Sequence, residues 1–141
     1  MPERFKYEKR PSYPNMRPED VALWERFIAQ QPGAYNEVAY DVLVGSPPDF
    51  DTNVIPGEAS DDVRLYKKKI DVVGYFNAGV DIIEIKPRAS ASALGQVTGY
   101  RLLYMRDISA IPSPRPVIIT DVARLDMPAL ATTMGIMLVV V

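Results

Sequence analysis

The sequence predicts an α/β fold, a single-domain mixed β-sheet flanked by helices, with an αβββαβ core and an added C-terminal helix and strand. Three observations predict it. A proline-led amphipathic segment opens at Pro18. Two β-rich runs, 69–76 and 80–86, flank Asn77-Ala78-Gly79 in the manner of a hairpin. The later apolar runs are separated by segments long enough to serve as helical crossovers between parallel strands.

Residues 1–17 carry five Lys/Arg against two Asp/Glu, with Pro2, Pro11 and Pro14 and no hydrophobic period, and read as a mobile basic arm ahead of a domain spanning 18–141. Pro18 suits a first helical turn, and Glu19 and Asp20 suit the positive end of its dipole. Val21, Trp24, Phe27 and Ile28 follow at helical spacing, until Gln31-Pro32-Gly33 stops the helix. Trp24 and Phe27 read as core rather than as a base-stacking platform. Val38, Tyr40, Val42 and Val44 alternate as in a strand ending at Gly45. The connection from Ser46 to about Val63 contains Pro47, Pro48, Pro56 and five acidic residues, Asp49, Asp51, Glu58, Asp61 and Asp62. Connections of that length in a small domain usually serve a function or lack order.

After the hairpin, Pro87 ends pairing on its strand, and Ser90 or Ser92 can cap a helix running to about Arg106. Gly95 and Gly99 on that helix would permit close packing on the sheet. Residues 117–120 read as a short buried strand, 126–134 as a short helix and 136–141 as a final apolar strand.

At 141 residues, with 48% hydrophobic and 24% charged side chains, the chain has room for one core and the composition of a globular protein. It has neither cysteine nor histidine, which excludes disulfides, thiol chemistry, Ser-His-Asp triads and histidine-ligated zinc. An enzyme of this composition works with carboxylates, Lys, Tyr or an ion held by oxygen. The net charge of -2 gives no global affinity for nucleic acid, so such binding would need a local basic stripe. The first residues lack the apolar core of a signal peptide, and no apolar stretch reaches the ~20 residues of a membrane span, which predicts a cytoplasmic setting.

The chemistry concentrates on the hairpin. Glu84 and Lys86 are two apart on one strand and leave the same face, with Ile83 and Ile85 on the other beside Ile70 and Val72 of the partner strand. Burying those charges is costly unless they are paired or metal-bound. Asp71 joins them only if the hairpin pairs with an odd register sum. An Ala78-Gly79 turn, or a four-residue loop from Asn77 to Val80, places Asp71 across from Lys86 and diagonal to Glu84, roughly 7 to 8 Å apart at the backbone. A three-residue loop would send Asp71 to the other face. On the following helix Gln96 and Tyr100 are one turn apart and share a face.

Asp71, twelve residues, Glu84-Ile85-Lys86 and then Gln96-x-x-x-Tyr100 resembles the PD-(D/E)xK nuclease superfamily, including its branch with a QxxxY helix, over about residues 18–120. The family's Pro-Asp is here Ile70-Asp71. The strings YDVLVG, KIDVVGY and EIKPRASASALGQ also look similar to small phage-encoded proteins.

The resemblance implies a restriction-endonuclease-like core and metal-dependent hydrolysis of DNA. It implies Mg²⁺ or Mn²⁺ held by Asp71, Glu84 and the Ile85 carbonyl, and Lys86 orienting the attacking water. A carboxylate from the first helix often completes the site: Glu25 is the first choice, Glu19 the second and Glu37 the third. Gln96 and Tyr100 would place DNA or the lysine. Arg64, Lys67, Lys68, Lys69, Arg88 and Arg101 surround the motif and are the expected phosphate contacts, with Arg106 beyond them. RNA and branched DNA remain alternative substrates, a homodimer would suit two-strand cutting, and a non-catalytic nucleic-acid-binding or assembly module on the same fold is the competing reading. Each motif also has a plainer explanation, because Glu and Lys alternate on many wet strands and a lysine run often marks only a solvated strand entry.

Overall fold

A computed structural model describes residues 2–45 and 68–141. The long acidic connection, with Arg64 and Lys67 after it, lies outside the described residues. In chain order the elements are β1 (Phe5–Lys6), α1 (Pro18–Gln30), β2 (Glu37–Val44), β3 (Lys68–Phe76), β4 (Gly79–Ile85), β5 (Arg88–Ala89), α2 (Ala91–Asp107), β6 (Arg115–Thr120), β7 (Val122–Ala123), α3 (Met127–Thr133) and β8 (Met137–Val140).

Six strands form one mixed sheet in the order β1-β2-β3-β4-β6-β8. The first four pair antiparallel, whereas β6 and β8 pair parallel to their neighbours. Those parallel strands arrive through α2 and α3, the crossovers that parallel pairing requires. The mixed α/β fold read from the sequence is therefore the fold observed. A separate two-stranded ribbon, β5 with β7, lies beyond the ends of β4 and β6 and has no counterpart in the sequence reading.

One core lies on each face of the sheet. On one side α1 buries Leu23, Trp24, Phe27 and Ile28 against Val38, Tyr40, Val72, Ile83 and Val117. Trp24 is fully buried, and its indole N–H donates to the Tyr40 hydroxyl at 3.1 Å, which satisfies the one polar atom it carries inward. On the other side α2 contributes Ala93, Leu94, Val97 and Tyr104, packed on Val73, Ile82 and Ile118 with Met127 and Ala131 of α3. No helix among the described residues is long and apolar enough to cross a membrane.

Several expectations change. The arm expected to be mobile contributes β1, and Tyr7 and Tyr13 are buried in the α1-side core. Single aromatic anchors fix the segment, which explains why it shows no period: the Tyr7 hydroxyl donates to the Gln31 carbonyl at 2.6 Å and the Tyr13 hydroxyl to Glu25 at 2.8 Å. Gly95 and Gly99 do not serve close packing, because a Cβ at either would meet nothing within 4 Å.

Ile70 and Val72 were expected on one face; instead Val72 belongs to the α1-side core and Ile70 to the α2-side core. Tyr40 and Val42 on β2 divide in the same way. Both strands therefore rotate between these residues, at Asp41 and Asp71. Asp41 has φ 53°, a left-handed backbone conformation that breaks strict alternation.

The hairpin pairs Phe76 with Gly79, leaving Asn77-Ala78 as the turn. Gly79 is thus a strand residue covered by Phe76, with a Cβ built there only 3.2 Å from the phenyl ring. The register sum is odd, as the same-face condition requires, but the pairing is shifted by two residues from the expected one. Continued past Val72↔Ile83, it sets Asp71 level with Glu84 rather than with Lys86.

Candidate active site

Strand β4 carries two buried carboxylates with different surroundings. Asp81, near its start and 1% exposed, takes a two-pronged contact from the Arg115 guanidinium at 2.8 and 2.9 Å and a hydrogen bond from the Tyr35 hydroxyl at 2.7 Å. Its charge is matched, as a buried charge requires. Glu84, near the other end, is 7% exposed, and its buried Oε2 has no hydrogen-bond partner. An acid left in that condition is costly unless it is protonated or meets a cation.

Asp71 lies beside it. The β3–β4 pairing stops at Val72↔Ile83, and Asp71 Oδ2 instead accepts a hydrogen bond from the Ile85 backbone N–H at 2.8 Å. Lys86 follows Ile85 and is half-buried, its own N–H donating to the Ile119 carbonyl at 2.9 Å. The strand end is pinned between β3 and β6, so the directions of Glu84, the Ile85 backbone and Lys86 are set by the sheet.

Asp71, Glu84, Ile85 and Lys86 line a pocket of about 230 Å³ together with Pro87, Asn15, Arg17, Glu19 and Asp20. The last four come from the segment entering α1 and from its first turn. Burial is the main cause that pushes the Glu84 carboxyl up to about 8; the Asp71 charge adds to it and Lys86 opposes it. Burial also leads in raising Asp71, to about 6, against the lowering effect of the Ile85 N–H, while Asp20 and Asp41 push it further up. The Asp71 charge raises Glu84, and Asp20 raises both, a crowding of acids that a divalent cation between them would relieve. Tyr100 on α2 is pushed up to about 12 by burial and then by Glu84 and Asp71, which keeps it a neutral O–H donor.

The structure thus brings together Asp71, Glu84, Ile85 and Lys86, with Tyr100 within their electrostatic reach. Gln96 is exposed. Glu25 is directed elsewhere: it accepts the Tyr13 hydroxyl and takes no part in lining the pocket. The first-helix carboxylates at the pocket are Glu19, the second choice from sequence, and Asp20, whose place in the sequence suits only the helix dipole. Asp20 is itself raised, mainly by burial, and both Asp71 and Glu84 feel its charge. Glu37 is on β2, at the pair with Lys6 of β1, and meets Arg4 at 3.6 Å.

The expected phosphate contacts are dispersed. Arg101 points away, its guanidinium donating to the Pro114 carbonyl at 2.6 Å and to Ser113 at 2.9 Å. Lys69 lies 3.6 Å from Asp41. Lys68 is exposed at the start of β3, and Arg88 is exposed on the β5–β7 ribbon just past the site. Arg106 meets its neighbour Asp107.

Oxygen donors from two carboxylates and a strand backbone suit a hard divalent cation. The partnerless Glu84 oxygen is the observation that fits these residues to one. Among the described residues no group of three His, Cys, Asp or Glu side chains could hold a metal ion. Two side-chain acids and the Ile85 backbone are the groups that could hold one.

No family model matches the sequence, and no curated protein is similar to it in sequence. Solved structures do share its fold. A repair endonuclease from Pyrococcus abyssi aligns over 92% of this chain at 15% identity with a TM-score of 0.51. EndoMS in complex with double-stranded DNA aligns over 97% of the chain at 15% identity, also with a TM-score of 0.51. A protein of unknown function aligns over 85% at 16% identity with a TM-score of 0.50. The chain spans about half the length of these proteins, covering 49%, 48% and 56% of them respectively.

Proposed function

We propose that the protein is a Mg²⁺- or Mn²⁺-dependent nuclease that hydrolyses phosphodiester bonds of DNA at the Asp71–Glu84–Lys86 pocket. The observation that carries this reading is the pair of buried, raised carboxylates, one with a partnerless buried oxygen, beside a lysine at the end of a central strand. The sharing of this fold with two endonucleases, one of them seen with double-stranded DNA, supports it.

In this reading Asp71, Glu84 and the Ile85 carbonyl hold the ion. Bound there, it supplies positive charge against the negative charge that develops on the phosphate during hydrolysis. Lys86 donates to the attacking water and orients it. Ile85 N–H holds the Asp71 carboxylate in place, and Tyr100 lies within electrostatic reach of the acid pair as a neutral hydroxyl. Arg17 and Lys86 are the cations at the pocket, and Lys68 and Arg88 lie on either side of the motif in sequence, available for flanking phosphates.

Asp20 takes the auxiliary role first given to Glu25. Asp20→Ala is expected to weaken Mn²⁺ binding and cleavage about 10-fold or more, the usual effect of losing a supporting carboxylate. Glu25→Ala should leave the cleavage rate near that of the parent protein, a difference read by single-turnover kinetics on labelled duplex.

The reading is tested by incubating purified protein with supercoiled plasmid in EDTA, Mg²⁺ or Mn²⁺. Nicking only with a divalent ion supports it, and equal nicking in EDTA contradicts it. A non-catalytic nucleic-acid-binding or assembly module is the alternative favoured by the small donor set among the described residues. It predicts no divalent binding by calorimetry and DNA affinity indifferent to metal.

A further inference from the structure

Beside the pocket, two residues share an unusual backbone state. Asn15 and Asp41 are the non-glycine residues with positive φ among the described residues, at 51° and 53°. They are 26 positions apart in sequence, yet the Asn15 side-chain amide donates to Asp41 Oδ2 at 2.6 Å. Left-handed backbone is costly for an ordinary L residue, and Asn and Asp tolerate it best. Such conformations persist where the surroundings hold them in place.

Their location gives the conformation a purpose. The β2–β3 ladder runs Tyr40↔Val72 and then Val42↔Ile70, leaving Asp41 and Asp71 between them. The register sum is the same on both sides, so no residue has been inserted. At this point side chains in both strands exchange faces, Tyr40 and Val72 going to the α1-side core and Val42 and Ile70 to the α2-side core. The rotation takes Asp71 out of regular pairing and lets its Oδ2 receive the Ile85 N–H. Asn15 also lines the pocket that holds Asp71 and Glu84.

We infer that Asn15 and Asp41 are positioning residues: their hydrogen bond locks the left-handed kink in β2 and so holds Asp71 against the end of β4. The entering segment of α1 and strand β2 are tied together at the kink, and the acid on β3 is placed as a result. The geometric statement stands on the fold alone; its consequence for metal binding rests on the nuclease reading.

Amide hydrogen exchange in the metal-free protein tests the geometry. Asn15→Gly keeps the backbone freedom at residue 15 but deletes the amide, and Asp41→Val opposes the left-handed conformation by β-branching. Each is expected to raise exchange at the Ile85 N–H by about 10-fold while the rest of β4 keeps its protection. Asp41→Asn, which tolerates the same conformation and retains an acceptor for Asn15, should exchange as the parent does.

In calorimetry with Mn²⁺ alone, Asn15→Gly should bind about 10-fold more weakly and Asp41→Asn near normally, as for other groups that support a metal-binding carboxylate. Unchanged Ile85 exchange in Asn15→Gly overturns the inference, as does a uniform rise across β4, which would report general destabilisation. Localised Ile85 exchange in a protein that binds no Mn²⁺ would uphold the positioning role and count against the nuclease reading.

Discussion

Lys86→Ala is expected to slow metal-dependent DNA cleavage by about 10² to 10⁴-fold, the range associated with losing a positioned proton-handling group. Its ammonium follows directly on the strand that carries Glu84 and Ile85 and lines the same pocket. Because Lys86 is not an ion ligand in this account, the variant should still bind Mn²⁺. Glu84→Ala should lose both, since it removes the buried oxygen that lacks a partner. Single-turnover cleavage and Mn²⁺ calorimetry on the same preparations separate the two roles. Parental cleavage rates in both variants would eliminate the proposed chemistry.

The second large effect concerns stability in the absence of metal. Glu84 is raised to about 8 and Asp71 to about 6, whereas in the unfolded chain both return to the ordinary carboxylate range near 4. Between those limits the folded state holds more protons than the unfolded state. Stability therefore falls as pH rises from about 4 through about 8, and the loss is complete above the folded value of Glu84. Thermal unfolding in EDTA should show Tm declining over this window. Glu84→Gln should flatten the decline and raise Tm at pH 8 to 9, because it keeps the shape and removes the charge.

Divalent ion should have the opposite effect in the parent protein, restoring stability at high pH, where both ligands are ionised. At 100 times the dissociation constant the gain is about 2.7 kcal/mol. A Tm in EDTA that is level or rising from pH 5 to 8, or a Glu84→Gln variant less stable than its parent at pH 8, would contradict this description of the pocket.

Much of this site was legible because it lies on regular structure. The two-residue spacing of Glu84 and Lys86 fixes their common face once a strand is recognised, and the Val21, Trp24, Phe27, Ile28 period identifies the inward face of α1. Register was harder. Gly79 looks like a turn residue but is a strand residue covered by Phe76, a tertiary contact that no local pattern records. The left-handed Asp41 was equally silent, since the amide bonded to its side chain, that of Asn15, comes from a distant part of the chain.

Asp20 was missed for a different reason. An acid in the first turn of a helix is explained well enough by the dipole, and only the approach of α1 to the end of β4 gives it a second neighbour set. Glu25 shows the converse: its helical position allowed an inward role, but Tyr13 from the supposed arm claims it. The sheet places Asp71 and Glu84 side by side, whereas the flanking carboxylate depends on how the helix docks.

A crystal soaked in Mn²⁺ and measured at the manganese absorption edge shows where the ion binds. An anomalous peak is expected between the Asp71 and Glu84 carboxylates, in reach of the Ile85 carbonyl. Manganese bound elsewhere, with none between these two acids, would contradict it.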